Sequence, residues 1–356
     1  MNNLTYFWQK KTILSFIAAL FVVIIHNSAT GQYDTSSPDA FVNLTFFFRN
    51  LFAYDIGAVA VPLFFFLSGF TIFRNYRLKS YPKKMKSRVK TLLFPYLFWN
   101  LFGLLFTILI TITPLRGSIS GREIFIPSAS NILEGIFLYK YNFQFWFLYD
   151  LIIYSLLTPL IYLLIHNKYV GAISLIIVFF LPALSGSFLN LNLHFTIFYF
   201  LGCYLGRHFL PFFSKKPSTK LSFVSGLIFI TTVVLKILSI YNIIPLPVIL
   251  SQLLLITMLL SFWFFSDLFV KRIKLKKYMD EFFPIYTLHT YFIAVIVKTI
   301  YLVGPKTSYM LFTNEIVGSL LAIIAVTVFS YLWHKKLPKT YNLLFGVNSK
   351  AKSSLD

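Results

Sequence analysis

Ionisable side chains that lie inside apolar stretches are the residues of this sequence best suited to chemistry. His26 lies near the end of the first apolar stretch, and Asp150 lies about one turn into a later one. Because burying such a group in hydrocarbon costs about 2.5 to 3.5 kcal/mol, few should occur there without a function. A neutral imidazole can accept the proton of a sugar hydroxyl, and a nearby carboxylate can hold its tautomer. We therefore predict that His26 and Asp150 are catalytic residues suited to acyl transfer, with Asp150 orienting His26.

Other ionisable residues lie at the ends of apolar stretches on the same predicted side of the membrane, namely Asp55, His194 and Glu315. Together with His26 and Asp150 they are typical of a polar vestibule. We predict that they bind substrate, as does Trp146 at the start of the stretch that holds Asp150. The alternative is that such residues lie at the level of the lipid headgroups and are simply solvated.

His289 lies about six residues into an apolar stretch from the opposite side, one turn after Tyr286. An interhelical hydrogen bond by such a histidine is an ordinary packing device in membranes. The other interpretation is that His289 lines a ligand pocket, and on that interpretation we assign Tyr286 and His289 to a cofactor-binding group.

The elements that must position these residues are membrane-spanning helices. The chain has 356 residues, of which 58% are hydrophobic and 12% charged, whereas a soluble domain carries about 25% charged residues. With about 20 residues for each span, we expect about ten spans in one all-α bundle. The expected spans lie near residues 12–29, 53–73, 91–112, 145–165, 170–188, 195–211, 221–240, 246–266, 283–303 and 315–333.

The distribution of basic residues predicts the orientation of these spans. The net charge is +21, and 25 of the 32 Lys and Arg residues fall on segments that are cytoplasmic if the N-terminus is cytoplasmic. Such an asymmetry is the positive-inside signal. We therefore expect both termini in the cytoplasm and the basic face on anionic headgroups or an anionic cytoplasmic ligand, and we expect no nucleic-acid partner.

The rest of the sequence limits the domain organisation and the kinds of site. No repeat of fixed period is visible, which disfavours an inverted-repeat transporter. The single Cys203 excludes a disulfide framework and a multi-cysteine zinc site, and we expect no metal. We predict one membrane domain over residues 1–340 and a short basic cytoplasmic tail over residues 341–356.

Several short motifs resemble acyltransferase family 3 of integral membrane O-acyltransferases. They are the stretch from Ser15 to His26, the run Val61-Pro-Leu-Phe-Phe-Phe-Leu-Ser-Gly-Phe70, Arg88 seven residues before Pro95-Tyr96, Trp146-Phe-Leu148, Tyr199-Phe-Leu-Gly202 and Tyr286-Thr-Leu-His289. Each motif is short, but the motifs occur in order along the ten expected spans. The resemblance therefore covers the chain from about residue 12 to residue 335.

The resemblance implies a multi-pass enzyme of the bacterial inner membrane that moves an acetyl or succinyl group. The donor would be acetyl-CoA or another acyl-CoA in the cytoplasm, and the acceptor a hydroxyl of a cell-envelope polysaccharide or lipid-linked sugar outside. His26 matches the family's catalytic histidine by position. The basic residues expected to hold the donor's phosphates are Arg74, Arg77, Lys86 and Arg88. The chain is expected to act alone or with a separate extracytoplasmic transferase or glycan synthesis or export protein.

The sequence departs from the family at two positions before His26. The family commonly has an arginine where this chain has Ser15 and an acidic residue where it has Thr12. Neither residue can neutralise a phosphate or pair with a cation. We expect either Lys10 or Lys11 to replace the missing charge, or the donor to differ.

Two other functions are compatible with the same membrane class. A polysaccharide exporter or flippase would use the outer polar groups to bind sugar without chemistry. A glycan polymerase is disfavoured, since more paired basic residues would be expected in its outer loops.

Overall fold

The computed structural model describes residues 3–28, 39–113, 124–184, 187–188, 190–304 and 307–347. Nearly all of these residues are helical. An apolar chain in lipid must satisfy its backbone hydrogen bonds within each segment, and a helix does this without a partner. The all-α class predicted from composition is confirmed for the described part of the chain.

The helices and strands follow in chain order. The α-helices are α1 (Asn3–Ser28), α2 (Ala40–Arg49), α3 (Ala60–Phe73), α4 (Tyr81–Arg88), α5 (Phe94–Ile112), α6 (Ala129–Phe137), α7 (Trp146–Leu156), α8 (Thr158–Ile165), α9 (Lys168–Leu184), α10 (Leu193–His208), α11 (Leu210–Ser214), α12 (Thr219–Ile240), α13 (Val248–Phe265), α14 (Asp267–Val270), α15 (Phe282–Val303), α16 (Ser308–Thr313), α17 (Ser319–Lys336) and α18 (Pro338–Leu344). Two short strands are β1 (Ser187–Phe188) and β2 (Leu191–Asn192).

Wider and tighter helical turns connect several of these helices. The π-helical segments are Asn50–Asp55, Val89–Leu93 and Asn314–Gly318, and the 3₁₀ segments are Gly57–Val59, Leu78–Ser80, Phe143–Phe145 and Lys277–Glu281. A π-helical turn shifts the hydrogen-bonding register and is frequent at functional sites. Two of the three π-helical segments hold acidic residues that the sequence singles out, Asp55 and Glu315.

Seven helical stretches of the described chain are long and apolar enough to cross a membrane, or eight if the pair α7 and α8, bent by 68°, forms one broken span. Helices α9 and α10 contain 17 and 16 residues. A 16-residue helix rises about 24 Å, less than a hydrocarbon core of about 30 Å. Each expected span thus corresponds to a helix or a bent pair, while the count of ten and the orientation of the termini stay predictions.

The first of two compact units comprises Met1–Tyr76, Leu164–Phe188 and Leu193–Val328. Its central helix pair is α3 and α10, whose backbones approach closely at glycines. A Cβ atom at Gly202 would lie 2.1 Å from the carbonyl oxygen of Phe66, and one at Gly69 would lie 2.3 Å from that of Tyr199. Small residues permit such helix contacts in membranes. This close pair supports α1, which packs on α3 and on α15.

A buried ion pair fixes the beginning of α1 within this unit. Lys10 is 1% exposed, and its Nζ lies 2.5 Å from Oδ2 of Asp267 and 4.2 Å from the ring centroid of Trp263. The hydroxyl of Tyr6 donates a hydrogen bond to the other oxygen of Asp267. A buried charge needs such partners to offset its desolvation, so Lys10 contributes to the structure of the unit.

The second compact unit comprises Arg77–Leu163, Leu189–Asn192 and Phe329–Asp356. Within it, α18 packs on α5. The indole Nε1 of Trp99 donates to the carbonyl oxygen of Leu344 at 3.0 Å, and the ring of Phe345 stacks on Trp99 at 5.4 Å. Residues 341–347 of the expected cytoplasmic tail therefore pack in this unit, and residues 348–356 lie outside the described residues. The predicted domain boundary at residue 340 stays a prediction.

Candidate functional site

Two histidines from distant parts of the sequence meet in the first unit. His26 near the end of α1 and His289 in α15 have ring centroids 4.8 Å apart and ring planes inclined by 35°. His26 is partly exposed, whereas His289 is completely buried. The packing of α1 against α15 brings these rings together.

The hydrogen bonds of His289 fix its tautomer. Its Nδ1 lies 2.5 Å from the carbonyl oxygen of Tyr286. A carbonyl oxygen only accepts, so Nδ1 carries the hydrogen and Nε2 of the neutral ring carries a lone pair. This Nε2 is buried and has no hydrogen-bond partner among the described residues. Since buried polar atoms are usually partnered, the unused lone pair is available for a proton or a ligand.

A neighbouring asparagine anchors the end of α1 that carries His26. The Nδ2 of Asn27 donates to Oγ of Ser319 at 2.7 Å and to the carbonyl oxygen of Asn314 at 3.2 Å. The π-helical segment Asn314–Gly318 presents this carbonyl toward α1. Asn27 is 2% exposed, so the anchor is protected from water and restricts where His26 can lie.

The acidic residues expected in the outer vestibule are buried beside α1. Asp55 is 0% exposed and Glu315 is 4% exposed. Each lies in a π-helical segment, and both segments pack on α1. The carboxylate oxygens of Asp55 have no hydrogen-bond partner among the described residues, and the charge of Lys236 on α12 acts on them. These two acids are therefore not solvated at headgroup level, and their substrate-binding role stays a prediction.

His194 lies at the beginning of α10 with its side chain partly exposed. Its backbone carbonyl accepts a hydrogen bond from Nε2 of Gln252 at 2.7 Å. This hydrogen bond from Gln252 stabilises the beginning of α10 through the backbone of His194. The predicted contact of the His194 imidazole with substrate stays a prediction.

Of the basic residues predicted to hold the donor, Arg74 lies in the first unit. Its guanidinium carbon lies 4.9 Å from the ring centroid of Trp8, and Nζ of Lys11 lies 5.0 Å from the same centroid. Burial lowers the pKa of Arg74, and its Nη1 has no hydrogen-bond partner among the described residues. An anion would satisfy this group. Since Lys10 is held by Asp267, Lys11 is the better candidate for the charge missing at Ser15.

The other basic residues predicted to hold the donor lie in the second unit. Arg77 precedes the 3₁₀ turn before α4, Lys86 is exposed on α4, and Arg88 ends that helix. Their role in donor binding stays a prediction.

Asp150 also lies in the second unit, one helical turn after Trp146 on α7. Its Oδ2 accepts a hydrogen bond from the backbone N–H of Asn192 at 3.3 Å. Trp146 is partly exposed at the beginning of the helix. The predicted partnership of Asp150 with His26 stays a prediction.

Sequence analysis missed Asn27 and did not pair His26 with His289. Asn27 directly follows His26, and a polar amide at the end of an apolar stretch is the signal that could have identified it. His289 lies beside His26, and Tyr286 lies beside His289, while their expected donor binding stays a prediction. Within the described ranges, no group of three or more His, Cys, Asp or Glu side chains is arranged to hold a metal ion.

Comparison with known proteins identifies a family. The family model described as an acyltransferase domain matches residues 13–334, nearly the whole chain. No curated protein and no solved structure matches the chain significantly. The matched range includes His26, His289 and every predicted catalytic, donor-binding and substrate-binding residue, while Lys11 lies just before it.

Proposed function

The chain belongs to this acyltransferase family of membrane proteins, and we propose that it transfers an acyl group from acyl-CoA to a hydroxyl of a cell-envelope glycan. The donor is acetyl-CoA or succinyl-CoA on the cytoplasmic side, and the acceptor is a polysaccharide or a lipid-linked sugar on the outer side of a bacterial inner membrane. The family match supports acyl transfer, and the choice of donor, acceptor and side is the proposal.

The observation that carries the proposal is the contact between His26 and His289. A partly exposed imidazole lies 4.8 Å, centroid to centroid, from a buried one whose Nε2 lone pair is unused. Acyl transfer to a hydroxyl needs a base at the attacking oxygen and an acid at the leaving sulfur. One imidazole can serve as that base and then return the proton to the leaving sulfur, and a second imidazole can stabilise its protonated form.

In the proposed reaction, His26 accepts the proton of the acceptor hydroxyl while the oxygen attacks the thioester carbonyl carbon. The new carbon–oxygen bond forms, the carbon–sulfur bond breaks, and the departing thiolate takes the proton from the imidazolium. The products are the ester and free coenzyme A. His289 keeps His26 in place and stabilises its protonated form through the Nε2 lone pair. In the alternative role, in which His26 assists passage of the acyl group across the membrane, the same imidazole would act.

The donor's diphosphate is held by basic side chains. In the first unit, Arg74 offers a buried Nη1 beside Trp8. In the second unit, Arg77 directly precedes the apolar helical stretch Leu78–Ile112, and Lys86 and Arg88 lie in its first part. Guanidinium groups bind phosphate by charge-assisted, often bidentate hydrogen bonds. Membrane lipids are the other anionic partners of this basic face.

The proposal is tested with the purified chain in lipid nanodiscs. Radiolabelled acetyl-CoA and succinyl-CoA are supplied with the glycan extracted from a strain that lacks this chain, and the glycan is analysed by mass spectrometry. An ester-linked acyl group on the glycan and release of free coenzyme A are the expected result. Unchanged ester content with a changed location of the glycan would identify an exporter and refute the proposal.

A further inference from the structure

A buried carboxylate in the second unit lacks a partner for one of its oxygens. Asp150 on α7 is 0% exposed. Its Oδ2 accepts the backbone N–H of Asn192 on β2, but its Oδ1 has no hydrogen-bond partner among the described residues. Leaving a buried acceptor unsatisfied costs about 1 to 3 kcal/mol, and more for a charged group. A protein keeps such a buried, unsatisfied acceptor where a ligand supplies the missing hydrogen-bond donor.

The residue that binds Asp150 has an unsatisfied acceptor of its own. The side-chain Oδ1 of Asn192 is buried and also has no hydrogen-bond partner among the described residues. The backbone hydrogen bond from Asn192 to Asp150 holds the two residues together. Two buried oxygen acceptors therefore belong to residues that a hydrogen bond joins, and the group that would satisfy both must carry hydrogen-bond donors.

Tyrosine rings lie near Asp150. The ring centroids of Tyr139 and Tyr149 are 5.6 Å apart in an edge-to-face arrangement, and Tyr96 lies 6.4 Å from Tyr149. The Asp150 charge acts on both Tyr139 and Tyr149. Burial and then this charge raise the pKa of the Tyr139 hydroxyl, so it stays protonated at neutral pH. Aromatic walls with a few convergent polar atoms are typical of sites for small organic ligands.

The backbone at Tyr139 is held in a conformation that is rare for its residue type. Its φ is 51°, in the left-handed region, where an aromatic residue is an outlier. Strain of this kind persists where the surroundings enforce it, and it clusters at ligand sites. Here it places the Tyr139 ring against Tyr149, next to Asp150.

We propose that Asp150 and Asn192 accept hydrogen bonds from the hydroxyl groups of a sugar ring, with Tyr139 and Tyr149 flanking the ring. The inference rests on the proposed function, for which it names a binding site of the acceptor glycan. A sugar offers several neutral donors at adjacent carbons, which suits acceptors on two residues that are joined by a hydrogen bond. Mg²⁺ and Ca²⁺ need six or more oxygen ligands, more than these side chains supply.

The assignment gives Asp150 a role different from the one expected from sequence. As a residue that orients His26, Asp150 would act on the rate of acyl transfer. As a residue that binds the sugar, Asp150 determines the affinity for the acceptor, and its Oδ1 is unsatisfied when no sugar is bound. Removing its charge should therefore weaken sugar binding without destabilising the fold.

The experiment follows the unfolding temperature of the purified full chain in detergent during titration with N-acetylglucosamine, glucose and rhamnose, without any acyl donor. At least one sugar is expected to raise the unfolding temperature of the wild-type chain. Asp150→Asn keeps an acceptor for the Asn192 N–H but loses the charge. Because it loses a charge-assisted hydrogen bond, its affinity for the sugar should fall roughly ten- to hundred-fold. A smaller loss is expected for Asn192→Ala, because its Oδ1 is a neutral acceptor.

Glu134→Gln is the matched control, since Glu134 is an exposed acid of the same unit paired with Lys140. Its sugar response should equal that of the wild type. Without sugar, Asp150→Asn should unfold at the wild-type temperature or above it. No response of the wild type to any of the sugars, or an equal response of Asp150→Asn, would overturn the assignment. Because no donor is present, failure of acyl transfer and failure of sugar binding are separate results.

Discussion

The imidazole of His26 packs against the imidazole of His289, and the tautomer of His289 is fixed by the carbonyl of Tyr286. Nε2 of the buried ring therefore carries a lone pair rather than a hydrogen. This arrangement supports proton transfer at His26 more directly than donor binding at His289, and the two roles make different kinetic predictions.

Replacing His26 tests the proposed base. His26→Ala should lower the rate of glycan acylation by about 10² to 10⁴, the usual contribution of a positioned acid or base. His166→Ala is a matched control, since His166 is exposed at the end of α8. Acylation is measured by release of free coenzyme A, and membrane abundance by immunoblotting. Retained acylation with normal abundance would remove His26 from the reaction.

Two isosteric replacements distinguish the roles of His289. In His289→Asn the amide N–H can still reach the Tyr286 carbonyl, but the Nε2 lone pair is lost, whereas His289→Gln keeps a polar group near the Nε2 position. We expect His289→Asn to lower kcat about tenfold to a hundredfold, with the KM for the acyl donor unchanged, and His289→Gln to lose less. A raised KM for the donor with an unchanged kcat would instead show that His289 binds the donor.

Removing a guanidinium group tests the donor site. Arg74→Ala and Arg88→Ala should each raise the KM for acyl-CoA roughly tenfold to a hundredfold, because each loses a charge-assisted contact to phosphate. Lys83→Ala, an exposed change on α4, should leave the KM unaltered. The initial rate is measured against donor concentration at fixed glycan. An unchanged donor dependence would exclude the residue concerned from the donor site.

The sequence was sufficient for the membrane class and singled out His26, but it was insufficient for the contacts around His26. Hydropathy identifies apolar stretches because lipid selects them directly, and every expected span corresponds to a helix or a bent pair. The contact with His289 depends on how α1 packs on α15, which no local pattern encodes. Lys10 illustrates the same limit. In the sequence it is a charge that flanks a span, whereas in the structure it is buried in an ion pair with Asp267.

The ion pair between Lys10 and Asp267 should stabilise the first unit only as a pair. Lys10→Met alone leaves Asp267 buried without its counter-charge and should cost about 3 to 5 kcal/mol of stability. The double variant Lys10→Met with Asp267→Leu should recover most of this loss. Thermal unfolding in detergent measures the stability. If the single variant were as stable as the wild type and only the donor KM rose, Lys10 would be a donor ligand.

The helix contact of α3 and α10 gives a further prediction. Gly202→Val places a side chain where a Cβ would already lie 2.1 Å from the Phe66 carbonyl oxygen. The two backbones must separate, so the unfolding temperature and the acyl-transfer rate should both fall. Gly226→Ala is the comparison, because its Cβ meets the ring of Phe265, which can turn aside. Equal stability of the two variants would show that the backbones of α3 and α10 can yield without loss.

The packing of residues 338–347 onto α5 affects how the chain should be handled for purification. Gly346 has a φ of 62°, and a Cβ there would lie 2.5 Å from Cα of Thr91, while Phe345 covers the Trp99 indole. An affinity tag joined directly after Leu344 would place foreign residues in this tightly fitted position. A tag joined after Val347 would leave the Phe345 and Gly346 contacts in place and should give the higher yield of folded protein.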